Sequence, residues 1–124
     1  MSNQSRSRSR TRSSSSAGRL TIEPNQLQFA ADGGDLHFAV HNNGNNRVAI
    51  KIKCSNNAYY RIGPVFAIIE PRSMTSFLVR RLPGPPGDEF LQIHCAPAGE
   101  ALSAQDIFAM DDRSHIEMIA LYAN

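Results

Sequence analysis

The stretch from Val48 to Ser73 leaves the chain few folds to choose from. Val48, Ile50 and Ile52 alternate there with Ala49, Lys51 and Lys53. A period of two over six residues specifies a half-buried strand, with its apolar face inward and its lysine face in water. Ser55, Asn56 and Asn57 are turn formers and end it. A second extended run, Ala58 to Ile62, stops at Gly63-Pro64, and a third, Val65 to Ile69, stops at Glu70-Pro71. Three short strands separated by turn chemistry point to an all-β sandwich or barrel.

The remaining sequence extends that pattern. Leu20 to Ile22 and Leu27 to Ala30 read as strand fragments, and Pro24 between them suits an edge strand interrupted by a kink. Gly33-Gly34 is a turn, and Leu36, Phe38 and Val40 alternate with His37, Ala39 and His41 in a clear strand. Strands are expected over Met74 to Leu82 and Glu89 to Ala96, joined by the rigid loop Pro83 to Asp88. Ser103 is placed to cap a short helix running through Met110, with Asp106 three residues on as its acidic partner. Asp111-Asp112 closes that turn. His115 to Tyr122 is apolar on both faces (Ile116, Met118, Ile119, Leu121), as a central strand is. The total is seven to nine strands and one brief helix.

A chain of 124 residues makes one domain with room for a core. Its formal charge of +2 is unevenly placed. Arg6, Arg8, Arg10, Arg12 and Arg19 put +5 on the first nineteen residues, and the rest carries eight Lys or Arg against eleven Asp or Glu. The body, near −3, is therefore not a basic nucleic-acid binder, and any weak affinity of that kind belongs to the arginine-rich end. Residues 1–18, with the repeat Ser5-Arg6-Ser7-Arg8-Ser9-Arg10, are expected to form a disordered tail, and residues 19–124 the folded domain. Such a tail is phosphorylatable, each phosphate removing about 1.5–2 charges. Cys54 and Cys95 are too few for a disulfide scaffold and read as free thiols of a reducing, cytoplasmic compartment. No signal segment and no run of about 20 apolar residues is present, so no membrane insertion is expected.

Enzyme signatures are missing: there is no phosphate-binding glycine motif, His-Glu-x-x-His or Gly-x-Ser-x-Gly. His37 and His41 share a strand face but lie about 13 Å apart, too far to hold one ion. His94 and Cys95 are adjacent and so fall on opposite sheet faces, which defeats a nucleophile pair. The chain reads as non-enzymatic, with no cofactor and no metal. Its better site is the lysine face of the 48–53 strand, where two ammonium groups can attract an acidic peptide while a sheet edge adds backbone hydrogen bonds.

The spacing Lys51-x-Lys53, a small polar pair, a Tyr six residues on, Gly63-Pro64 and Ile69-Glu70-Pro71 resembles the major sperm protein (MSP) domain over roughly residues 19 to 124. That resemblance implies a seven-stranded, immunoglobulin-like β-sandwich with cis prolines at Pro24 and Pro64. It implies a cytoplasmic structural or interaction domain that associates with sperm cytoskeletal proteins or with itself. The family's membrane-contact-site adaptors provide the alternative, recognition of acidic peptides containing Phe. The positions matching the adaptor site are Lys51, Lys53, Cys54, Ser55, Leu91 and Arg113. Glu89 stands where adaptors carry a basic residue, and no membrane anchor is expected after Asn124. The resemblance thus favours the small sperm-specific branch.

Overall fold

The computed structural model describes residues 19–110 and 114–124. The Ser/Arg-rich segment, the turn at Asp111-Asp112 and Arg113 lie outside the described residues. Among the described residues nine strands form two sheets: β1 Leu20–Glu23, β2 Gln26–Phe29, β3 Gly34–Asn42, β4 Val48–Cys54, β5 Tyr60–Gly63, β6 Phe66–Ile69, β7 Ser73–Arg81, β8 Gly87–Pro97 and β9 His115–Ala123. One sheet has the order β2-β9-β8-β4-β6 and the other β1-β3-β7-β5. The described residues also hold one helix, α1, over Ala104–Met110.

The sheet order explains the prolines. β1 pairs with β3 and β2 pairs in parallel with β9, so the chain changes sheets at Glu23-Pro24. It changes again between β5 and β6 at Gly63-Pro64. Both peptide bonds are cis, as the family resemblance implied.

Alternation decides the core. Ile50 and Ile52 on β4 register against Cys95 and Ile93 on β8, and all four are buried. Phe38 and Phe77 pair across β3 and β7 with rings stacked at 5.0 Å. Phe29 and Tyr60 meet edge-to-face at 5.6 Å, each from a different sheet, tying the two layers. Asn42 is buried at the end of β3, where its amide donates to the carbonyls of Asn46 and Ile69 at 2.8 and 3.0 Å. Those bonds meet the cost of burying an amide.

Two expectations need correction. Ala49, expected on the wet face of β4, is fully buried. Helix α1 lies over it, and Ala49, Ala98 and Ala104 form a small second core with Phe66, Ile68, Ile107 and Phe108 against it. Three small side chains let the helix come close to the sheet. Ala58, expected in a strand, belongs to a turn over residues 57–59, because the side-chain carbonyl of Asn56 accepts the Ala58 amide at 2.9 Å and delays β5 until Tyr60. The helix start matches its cap: the Asp106 amide donates to Ser103 Oγ at 3.2 Å.

Candidate protein-docking face

The outer face of the five-stranded sheet is covered by α1 only at its β4–β6 end. The open part can be read row by row from the register. Lys51 faces His94, which faces Ile116. Lys53 faces Gln92, which faces Met118, and in the next row Phe90 faces Ala120. Phe90, Ile116 and Met118 are 39%, 43% and 53% exposed, large values for apolar side chains in a sheet. β9 is thus central in its sheet, as expected, yet one of its apolar faces is open.

Lysines border this apolar strip. Lys53 is exposed, and Lys51 is half-buried with its ammonium 5.9 Å from the centre of the Phe66 ring. His94 reports their field. Its Nδ1 lies 3.2 Å from Ser114 Oγ and its Nε2 3.2 Å from Gln92 Oε1. Partial burial, then the charges of Lys53 and Lys51, hold its pKa below the ordinary value.

Around the edge of β4 the face runs into a groove of about 580 Å³ in the seam between the sheets, lined by Ile52, Lys53, Cys54, Tyr60, Arg61 and Val65 among others. Arg61 is held by the carbonyls of Asn57 and Tyr60, which stations a second cation at the groove's rim. Cys54 lines the groove from the inner side of β4, and burial pushes its thiol pKa up.

The sequence-derived residues separate in space. Lys51 and Lys53 share the outer face and Cys54 opens on the groove. Leu91 does not join them: it is fully buried, on the inner face of β8 beside Ile119, and a surface ligand cannot touch it. The alternation Leu91, Ile93, Cys95 against Phe90, Gln92, His94 carries that signal, and it names Phe90 as the outward residue. Ser55 is exposed but engaged, because its hydroxyl donates to Glu89 Oε1 at 2.7 Å and accepts the Phe90 amide at 3.0 Å. Asn56 Nδ2 donates to Glu89 Oε2 at 3.1 Å. The Ser55 bond, then the Asn56 bond, lower the Glu89 pKa and keep it a carboxylate. The chain's own acid therefore occupies the donors beside Lys53. Reading along the sequence missed Phe90, Met118 and Arg61 as neighbours of the lysines: strand register sets Phe90 and Met118 on the lysine face, and the meeting of the two sheets sets Arg61 across the groove from Lys53.

Among the described residues there is no group of three or more side chains suited to a metal ion, and no helix long and apolar enough to cross a membrane. A family model described as MSP (Major sperm protein) domain matches residues 19–115. The chain is 38% identical over 91 residues to sperm-specific class P protein 10 of Caenorhabditis elegans, covering 73% of this chain and 84% of that protein. The solved structure of SSP-19, an MSP-domain-like family member of the same nematode, superposes with a TM-score of 0.80 at 30% identity, over 84% of this chain and 98% of that one. A second solved MSP family member of C. elegans gives 0.81 at 25% identity, over 86% and 98%.

Proposed function

Because the chain belongs to the MSP domain family, and the relative it matches at 38% identity is a sperm-specific class P protein, we propose that it is a non-enzymatic interaction module of the sperm cytoskeleton that docks other proteins on the open face of its five-stranded sheet. One observation carries the reading: three large exposed apolar side chains, Phe90, Ile116 and Met118, stand in rows beside Lys51 and Lys53. Apolar area supplies the adhesion and the ammonium groups select carboxylates, so the fitting partner presents apolar side chains flanked by Asp or Glu. The family's filament-forming sperm protein, or a second copy of this chain, is the partner in view, and the cytoplasm is its compartment.

The adaptor reading, capture of an acidic Phe-containing peptide, has the groove in its favour, since Lys53 and Arg61 flank a space large enough for an aromatic ring. Glu89 limits it by repelling carboxylates near Ser55. Calorimetric titration with a synthetic acidic peptide containing one Phe separates the two. On the docking reading the wild-type chain binds it weakly, and Glu89→Gln, which removes the charge and keeps the shape, tightens it several-fold. Tight binding by the wild type, unchanged in Glu89→Gln, would favour the adaptor reading and place the ligand away from Ser55.

A further inference from the structure

The hairpin between β3 and β4 holds an arginine on each side. The Arg19 stem lies across Gly44, where an added Cβ would meet the Arg19 Cβ at 3.2 Å, so the position admits only glycine without a shift. From the β6–β7 turn, Arg72 donates Nε and Nη2 to Asn45 Oδ1 at 3.3 and 2.9 Å. Arg72 does so at a φ of 59°, in the left-handed region that residues with a Cβ seldom occupy. The hairpin itself is pinned by buried Asn42, whose Oδ1 accepts the Gly44 amide at 3.0 Å while its Nδ2 holds Asn46 and Ile69.

Between these arms lies a cavity of about 210 Å³, lined by Arg19, Arg72 and the amide side chains of Asn43, Asn45 and Asn46, with no carboxylate among its described lining residues. The nearby Glu70 is already engaged by Arg47 at 3.1 Å. Two guanidinium groups at a cavity without a carboxylate among its described lining residues match a tetrahedral dianion, because guanidinium forks bind phosphate oxygens in pairs.

We propose that this cavity binds the phosphomonoester of a phosphoserine from the chain's own Ser13–Ser16 run. Those serines precede Arg19 by three to six residues, within about 10–21 Å of it at full extension. Tethering gives such a ligand an effective concentration near the millimolar range. The charge pattern makes the contact conditional. Arg6, Arg8, Arg10 and Arg12 give the unmodified segment the same sign as the cavity, so it is repelled; one phosphate, at about −1.5 to −2, supplies a local anion and removes nearly half of that charge, and about three reverse it. The modification is kinase chemistry: a serine Oγ–phosphorus bond forms, the bond from phosphorus to the nucleoside diphosphate oxygen breaks, and the hydroxyl proton leaves.

The test compares the full chain carrying phosphoserine at position 15 with the unmodified chain by amide NMR. The phosphorylated chain should shift the Gly44, Asn45 and Asn46 amides, independently of protein concentration. Arg72→Gly removes the guanidinium but suits a φ of 59°, so that variant should keep its thermal midpoint and lose the shifts. Arg19→Gln should reduce them. Unmoved hairpin amides in the phosphorylated chain, or shifts that survive Arg72→Gly, would overturn the proposal. Shifts that grow with protein concentration would overturn the intramolecular assignment. A single-stranded RNA oligonucleotide that moves the same amides of the unmodified chain would also overturn it, giving the cavity to nucleic-acid phosphates.

Discussion

At the scale of single residues, His94 senses the lysines of the open face. His94 is held below its ordinary pKa of about 6.5 by partial burial and by Lys53 and Lys51. A folded-state pKa below the unfolded value means that the unfolded chain binds the proton more tightly. His94 therefore contributes stability that is present above about pH 6.5 and lost as pH falls toward its folded pKa. Replacing Lys53 by Gln should raise the His94 titration midpoint, read by NMR of the ring protons, while leaving the fold intact. An unmoved midpoint would mean that the lysine does not act on this face. The cysteines offer a second residue-scale test. Burial pushes the Cys95 thiol pKa up to about 12, whereas Cys54 is half-buried, and both are unbridged. A thiol reagent should label Cys54 slowly and Cys95 not at all in the native protein, and both in denaturant without prior reduction. Rapid native labelling of Cys95 would show that the β8 core opens.

At the scale of elements, β4 is the strand whose register fixes everything outside the core. Ile52→Ala should cost about 2–5 kcal/mol in denaturant unfolding, whereas Lys53→Glu should stay within about 0.5 kcal/mol. A slip of one residue would exchange these outcomes. Ala49→Leu should destabilise by about 1–3 kcal/mol, because it overpacks the contact with α1. If that variant is neutral, α1 does not sit on the sheet. These elements also show what could be read in the chain. The β4 alternation, the Ser103 cap and the turn residues are local signals, and local signals were legible. Ala49 was not, since a small residue in an alternating strand says nothing about what covers it, and the cover comes from a helix more than fifty residues away. The opposite faces of Leu91 and Phe90 were written in β8: the family resemblance pointed to Leu91, which is buried, whereas the alternation turns Phe90 outward. β9 misled in another way. Two apolar faces suited a central strand, which it is, but its outer face is bare because α1 covers only the other end of the sheet.

At the scale of the whole molecule, two sheets and one helix divide the surface into a lysine-bordered apolar face and an arginine-bearing hairpin end. Residues 20–123 supply every strand of the described sandwich, so we expect removal of residues 1–18 to leave the thermal midpoint unchanged. A fall of several degrees, equivalent to about 1 kcal/mol for a domain this size, would show that the segment packs on the body. The central claim is that the open sheet face docks partner protein, and an NMR titration of the isotope-labelled chain with the purified filament-forming sperm protein of the family tests it most directly. The account predicts shifts concentrated at Lys53, Phe90, Gln92 and Met118, and their disappearance in a Lys51→Glu, Lys53→Glu double variant that still folds. Shifts confined to the four-stranded sheet, or undiminished in the folded double variant, would contradict it.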